Sequence, residues 1–184
     1  MRQPTDLDCL PTCVQSVLQY QFDQQVSIEE ARALCNAEPG GVWSNSLRAL
    51  RAAGYSANEI ARGDETDEEA LNCLYDLVEI NELPVIVQLP TGMTAAGQSF
   101  FHALVVVGTA DDGTLVIVMN PDNPTGFDTW ASKTFFRDWA TTDFNGFILV
   151  MRRPTNVNTP APPITAPFPQ ASPPAAFTRN SERF

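Results

Sequence analysis

The sequence has a single histidine, His102, and its four cysteines lack the CxxC pairs of a structural zinc site. One histidine is also too few for most other zinc sites, so we expect no metal and no other cofactor. The cysteines lie at positions 9, 13, 35 and 73. A domain of this size needs no disulfide framework. We therefore expect mostly reduced thiols, although the sequence leaves a Cys35–Cys73 bridge open.

Positive charge is also scarce, because the 184-residue chain has one lysine, Lys133, and a formal net charge of -11. Residues 153–184 contribute +2, so residues 1–152 carry -13. An acidic domain is poorly suited to phosphate backbones. We expect no nucleic-acid partner and interpret the acidity as a solvated surface.

The sequence has no apolar run as long as a membrane span, and its N-terminus lacks the apolar core of a Sec signal peptide. Export by a dedicated machinery requires no such signal. We therefore expect no membrane span, and a protein that is either cytoplasmic or secreted by a specialised, non-Sec system.

Helical patterns come first along the chain, and strand patterns follow. Ser27–Glu30 and Thr66–Glu69 have the sequence of capping boxes, which begin helices. A helix running to about residue 81 precedes β-rich runs at 84–89, 101–107, 114–119 and 147–151, with a loop at 90–99 and a hairpin turn at 111–113. This order predicts an α+β domain over residues 1–152, with N-terminal helices packed on an antiparallel β-sheet.

Residues 153–184 form a Pro-rich tail that holds eight of the 15 prolines of the chain and few aliphatic residues. Such a segment cannot bury enough apolar surface to fold alone, so we expect it to be disordered. The tail is either a simple linker or a segment that docks to a partner recognising proline-rich sequence.

Cys9 occupies the start of a predicted helix. Asp8 is a preferred N-cap residue whose carboxylate can accept free backbone N–H groups. Val14, Val17 and Leu18 then repeat at helical spacing and form an apolar stripe. A thiol at the positive end of a helix is favoured as thiolate, which is the nucleophilic form. The position therefore suits a catalytic cysteine.

His102 lies at the start of an apolar strand, and the partner strand across the hairpin ends at Asn120. Taken alone, each residue is more often structural than catalytic. Together, a cysteine at a helix start and a distant histidine form the pair that thiol catalysis needs. Asn120 is placed to hold the imidazole, and Asp122 is a nearby substitute.

The segment from Gln3 to the Cys9 helix resembles the opening of the C39 peptidases, papain-like cysteine proteases that include bacteriocin-processing enzymes and stand-alone relatives. The strand beginning at His102, and the next strand ending in Asn120-Pro121, are similar to the histidine and asparagine strands of the same superfamily. The resemblance spans about residues 2–150. It implies a papain-like α+β fold, with Cys9 as nucleophile, His102 as base, Asn120 as its orienting partner and Gln3 in the oxyanion hole.

The chain departs from the family pattern at two positions. Leu10 follows the nucleophile, where the family usually has glycine. At the second position this chain has Asn120, where many members of the family have aspartate. Papain also has asparagine there.

The resemblance implies a cysteine peptidase that hydrolyses peptide or isopeptide bonds in a protein or peptide substrate. Two alternatives stay open from the sequence. The same residues support deamidation of a protein glutamine or acyl transfer, as in toxins built on papain-like folds. A catalytically inactive module that binds peptides in the former cleft is the other alternative, and Leu10 is its best support.

Overall fold

The computed structural model describes residues 1–35, 43–60, 66–93, 99–123, 125–135 and 148–152. The helices are α1 (Cys9–Phe22), α2 (Ile28–Cys35), α3 (Trp43–Ala52) and α4 (Asp67–Tyr75), and α4 continues into a π-helical turn at Asp76–Ile80. The strands are β1 (Ser56–Ile60), β2 (Val85–Met93), β3 (Ser99–Ala110), β4 (Leu115–Met119), β5 (Phe127–Ala131) and β6 (Ile148–Arg152). The predicted α+β class is confirmed.

The strands form one sheet in the order β1-β6-β2-β3-β4-β5, with antiparallel neighbours throughout. Strands β2 to β5 follow one another as a meander, in agreement with the predicted hairpin at 111–113. Strand β6 departs from this order, because it returns to lie between β1 and β2. No local pattern predicts that return, since it depends on pairing between distant segments.

The two faces of the sheet carry two separate core clusters. Along β3, Ala103 and Val105 belong to one cluster, whereas Leu104 and Val106 belong to the other. This alternation arises because successive residues of a strand point to opposite faces. The first cluster contains the predicted apolar stripe of α1, and the second contains the apolar residues of α4. Helix α1 therefore covers the face of the sheet that carries Ala103.

None of the four cysteines forms a disulfide. Cys35 is fully buried in the cluster of α1, whereas Cys73 packs against the cluster of α4. The sheet separates the two thiols, so the Cys35–Cys73 bridge that the sequence left open is excluded.

Both predicted capping boxes are confirmed. The Ser27 N–H donates to Glu30 Oε2 at 2.7 Å, and the Glu30 N–H donates to Ser27 Oγ at 3.2 Å. Thr66 and Glu69 form the same reciprocal pair at the start of α4. These local contacts set the first turns of α2 and α4, as the sequence indicated.

The predicted loop at 90–99 is wrong in its extent, because β2 runs to Met93 and β3 begins at Ser99. Proline and glycine are tolerated there for a structural reason. Among the described residues, β6 pairs with β2 from Val85 to Val87. The register of β2 and β3 also shifts between Pro90 and Gly92, which accommodates the extra residue as a bulge.

Strand β5 was not predicted, because its sequence is short and contains an aspartate, a residue depleted in strands. A helical turn at 132–135 follows β5. The Pro-rich tail at 153–184 lies outside the described residues. Within the described ranges, no helix has the length and apolar character required to cross a membrane.

Candidate active site

Cys9 is the first residue of α1, and Asp8 is its N-cap residue, as predicted. The Asp8 side chain, however, makes no capping hydrogen bond. Its carboxylate accepts from the Thr5 hydroxyl at 2.6 Å and from Arg32 Nε and Nη2, both at 2.7 Å. The predicted carboxylate cap is therefore wrong. Arg32 on α2 donates to both carboxylate oxygens instead, and these charge-assisted hydrogen bonds are stronger than bonds from neutral backbone N–H groups.

In the ion pair of Asp8 and Arg32, the Asp8 side chain is buried, with 4% of its surface exposed, whereas the Arg32 side chain remains 37% exposed. The hydrogen bonds from Arg32 lower the pKa of Asp8, and burial opposes them only in part. Asp8 is therefore ionised at neutral pH. Its contacts join the turn at Thr5, helix α2 and the start of α1, which fixes the position of Cys9.

Cys9 and His102, which are 93 positions apart in the sequence, lie within hydrogen-bonding contact of each other. Burial raises the pKa of the Cys9 thiol, but the hydrogen bonds from His102, from the Ala103 N–H and from the Leu10 N–H outweigh it. The net effect is a pKa below the ordinary value. Burial also lowers the pKa of His102, yet its contacts with Cys9 and Asn120 raise that pKa overall. The pair therefore favours thiolate and imidazolium.

The imidazole of His102 is held from its other side by Asn120. His102 Nε2 and Asn120 Oδ1 are 2.8 Å apart. Because Nε2 faces an amide oxygen, this ring nitrogen carries the proton, and Nδ1 is left for the thiol of Cys9. The three side chains thus form a hydrogen-bonded series in the order Cys9, His102, Asn120.

The Asn120 amide makes two further contacts in the turn that follows β4. Its Oδ1 accepts from the Asp122 N–H at 3.0 Å, and its Nδ2 donates to Asp128 Oδ2 at 2.7 Å. Asp122, which the sequence offered as a substitute for Asn120, thus bonds the amide through its backbone. Its charge also raises the pKa of His102, as the smallest of several causes.

Gln3 lies beside the turn that carries Asn120, because the Gln3 N–H donates to the Pro121 carbonyl at 2.8 Å. The side-chain oxygen Oε1 of Gln3 is buried and has no hydrogen-bond partner among the described residues. The structure therefore places Gln3, which precedes α1, next to the Asn120 end of the series formed by Cys9, His102 and Asn120.

Leu10, which follows Cys9, is 6% exposed and belongs to the core cluster of α1. Its side chain is therefore accommodated in the core, where it packs with residues such as Val14. The bulk that distinguishes it from glycine is buried among apolar side chains, and its N–H contributes to the lowered pKa of Cys9.

No group of His, Cys, Asp and Glu side chains in the described ranges is arranged to hold a metal ion. The chemistry that this site offers is that of a thiolate next to an imidazolium. Such a pair supplies a nucleophile and a proton donor.

Comparison with known proteins was made at three levels. No family model matches the chain, and no curated protein matches its sequence. Solved structures do match. The peptidase domain of Streptococcus ComA, a bifunctional ABC transporter of a quorum-sensing pathway, has a TM-score of 0.59 at 21% identity, covering 82% of this chain and 95% of that one.

Two further structures agree. A protein described as a C39-like peptidase from Bacillus anthracis has a TM-score of 0.59 at 16% identity, covering 84% of this chain and 94% of its own. The double-glycine-motif protease of an AMS/PCAT transporter, in complex with its leader peptide, has a TM-score of 0.56 at 21% identity, covering 84% and 90%. This chain has the C39 peptidase fold. The fold that the sequence resemblance implied is confirmed.

Two residues of this site were not found from the sequence. Arg32 lies on α2, and its pairing with Asp8 is not visible from sequence spacing. Asp128 lies on the unpredicted strand β5. The available signal for Asp128 was the polar turn at 120–126 followed by a lone acidic residue among Phe127, Thr129 and Trp130. To place Asp128 beside Asn120 from that signal, one would also have had to predict that β5 pairs with β4.

Proposed function

We propose that the chain is a cysteine peptidase that hydrolyses peptide or isopeptide bonds, with Cys9 as nucleophile, His102 as proton donor and acceptor, Asn120 as orienting residue and Gln3 as an oxyanion donor. The observation that carries this proposal is the hydrogen-bonded series of Cys9, His102 and Asn120. It supplies an activated thiolate, a base in a defined tautomer and an anchor for that base.

In the first half-reaction the Cys9 thiolate attacks the carbonyl carbon of the scissile bond. The new C–S bond forms as the carbonyl electron pair moves onto oxygen. When the tetrahedral intermediate collapses, the C–N bond breaks and His102 gives its proton to the leaving amine. The product of this step is a thioester on Cys9.

The oxyanion of that intermediate requires hydrogen-bond donors in place before the reaction. Gln3 Nε2 and the Cys9 N–H at the start of α1 are suited to this role, and each such donor is worth about 3 kcal/mol in the transition state. One observation supports the assignment of Gln3: its backbone N–H bonds the Pro121 carbonyl, which holds Gln3 beside the turn that carries Asn120.

In the second half-reaction water attacks the thioester and gives a proton to His102. The C–S bond breaks, the acid product leaves and Cys9 returns to the thiolate. Throughout both steps Asn120 keeps the proton of the neutral ring on Nε2, so Nδ1 remains directed at the reacting atoms.

A peptide is the substrate class that the comparisons favour. One structural neighbour is a protease in complex with a leader peptide, and the fold it shares with this chain supports a peptide in the corresponding cleft.

The test is product analysis. Purified full-length chain is incubated with peptides derived from a bacterial lysate, and mass spectrometry searches for new termini. We expect new termini from the wild type and none from Cys9→Ala, with Cys13→Ala as the matched control that removes a buried thiol instead. Glutamine residues converted to glutamate, without new termini, would instead identify a deamidase. Peptides that are retained but unmodified would identify a binding module.

A further inference from the structure

An asparagine in the orienting position creates a problem that an aspartate does not have. Both carboxylate oxygens accept hydrogen bonds, whereas an amide presents an acceptor on one side and a donor on the other. If the Asn120 amide rotated by half a turn, Nδ2 would face His102 Nε2. The proton of the neutral ring would then move to Nδ1, the nitrogen that must accept from Cys9.

Asp128 removes this ambiguity together with the Asp122 N–H, which donates to Asn120 Oδ1 at 3.0 Å. Asp128 Oδ2 lies 2.7 Å from Asn120 Nδ2. An ionised carboxylate is only an acceptor, so it can face Nδ2 and not Oδ1. The amide oxygen is then directed at His102, where the distance to Nε2 is 2.8 Å.

The strand pairing explains why Asp128 reaches Asn120. Strand β5 pairs with β4 so that Asp128 lies opposite Val118, two residues before Asn120. Asn120 and Asp128 are therefore diagonal neighbours on the same face of the ladder, within reach of their side chains. The ladder continues to the end of the strand, because the Asn120 N–H donates to the Gly126 carbonyl at 2.9 Å.

The Asp128 carboxylate is itself fixed. Asn123 Nδ2 donates to its second oxygen, Oδ1, while Asn123 Oδ1 accepts from the Thr125 N–H at 2.9 Å. Asp128 is half-buried, so water competes only in part for its oxygens. Two amide donors and a strand pairing thus hold the carboxylate at Asn120.

We infer that Asp128 is a positioning residue of this site, which fixes the Asn120 amide and thereby keeps the neutral His102 ring in the tautomer with its proton on Nε2. The effect on peptide cleavage rests on the function proposed above. The effect on the ring does not, because it follows from the hydrogen bonds alone.

The single histidine makes the ring directly observable. In ¹⁵N-labelled full-length protein, long-range ¹H–¹⁵N spectra contain the imidazole signals of His102 alone, and the ¹⁵N shifts report which nitrogen carries the proton. We expect the Nε2–H tautomer in the wild type when the ring is neutral. Asp128→Ala should give a mixture of tautomers and a lower pKa of His102, with alkylation of Cys9 at neutral pH slowed roughly threefold. Asp128→Asn keeps one acceptor oxygen and should stay close to the wild type.

A rescue separates positioning from general loosening of the turn. In Asn120→Asp combined with Asp128→Ala, the residue at position 120 presents acceptors on both sides, so the Nε2–H tautomer should return. Thr125→Ala loosens the same turn, because the Thr125 hydroxyl bonds Asn123 Oδ1 at 2.8 Å and contacts neither Asn120 nor Asp128, and it should leave the ring spectrum unchanged.

Three outcomes would overturn the inference: a wild-type ring spectrum in Asp128→Ala, no return of the tautomer in the double variant, or an equal effect from Thr125→Ala. If Asp128→Ala does not fold, the double variant compared with Asn120→Asp alone still decides. In Asn120→Asp alone, the carboxylates at positions 120 and 128 face each other and should perturb the His102 ring. In the double variant only the carboxylate at position 120 remains, so the ring should not be perturbed. A wild type that cleaves no peptide yet shows these spectra would refute the peptidase and leave the role of Asp128 intact.

Discussion

Replacing His102 by alanine tests the central pair of the site through the reactivity of Cys9. Burial is the largest single influence on the Cys9 thiol, and it opposes the thiolate. The hydrogen bond and charge of His102 are what reverse that influence. Without the imidazole, burial has less to oppose it, and the pKa of Cys9 should rise.

The magnitude follows from the lost contact. A hydrogen bond to a charged group contributes about 1.5–3 kcal/mol, so its loss lowers the thiolate population at neutral pH roughly 10- to 100-fold. The more basic thiolate is also the better nucleophile, with a Brønsted coefficient of about 0.4–0.5, which offsets about half of this effect on a logarithmic scale. The net result is a rate of alkylation by iodoacetamide roughly 3- to 10-fold lower in His102→Ala at neutral pH.

The assay is selective for Cys9 because the other three thiols are either made unreactive by burial or removed by substitution. Burial raises the pKa of Cys35 to about 12 and that of Cys13 well above its ordinary value. A Cys73→Ser background removes the remaining half-buried thiol, and labelling in denaturant checks that the variants carry equal reactive thiol.

The pH dependence gives the result that would refute the reasoning. In the wild type the rate should fall as the pH drops through the lowered pKa of Cys9, at a lower pH than in His102→Ala. In His102→Ala the rate should climb steeply in alkali and overtake the wild type, because its thiolate is more basic. Superimposable profiles for the two proteins would show that His102 does not stabilise the Cys9 thiolate.

Three further substitutions test separate parts of the structure. Gln3→Ala should lower kcat for peptide cleavage by about 100-fold or more, with unchanged alkylation of Cys9, because it removes a donor used only in the transition state; an equal loss in both assays would contradict this. Arg32→Ala should lower the free energy of unfolding in urea by about 2–3 kcal/mol, since it strips the buried Asp8 carboxylate of its charged partner, whereas exposed Arg48→Ala should have little effect. Because Arg32 lowers the pKa of Asp8 in the folded state, the difference should be present above the pKa of an unfolded aspartate and close as the pH falls through the folded value. Thr66→Ala should cost about 1 kcal/mol in the same assay through loss of the capping box, and Thr66→Ser should retain most of it.

Much of the fold could be predicted because the relevant signals are local. The capping boxes at Ser27 and Thr66 need only residues three positions apart, and the structure contains both. The apolar stripe of α1 and the β-rich run that became β3 follow directly from periodicity. The return of β6 between β1 and β2 has no such signal, because pairing partners of distant strands are selected by the whole sheet.

The candidate site shows the same division between local and distant information. Cys9 and His102 could be found because each sits at a recognisable place, a helix start and a strand start. Asp8 was correctly identified as the N-cap residue, but the role of its carboxylate was wrong. The N-cap preference assumes that no stronger donor competes, and Arg32 on α2 supplies one at 2.7 Å.

The neutral side chain at position 120 has a consequence for the charge balance of the whole site. A carboxylate bonded to His102 would favour the imidazolium directly, but it would also place a second anion near the Cys9 thiolate. With Asn120 in that place, the thiolate is the nearest full counter-charge to the imidazolium, so the half-buried pair is close to neutral as a unit. The negative charge lies instead on Asp128, on the far side of the Asn120 amide from His102. Its carboxylate accepts hydrogen bonds from both Asn120 and Asn123. An Asn120→Asp substitution in the presence of Asp128 should therefore raise the pKa of both His102 and Cys9. It should shift the acid limb of Cys9 alkylation toward neutral pH, and a shift toward lower pH would contradict this account of the charge balance.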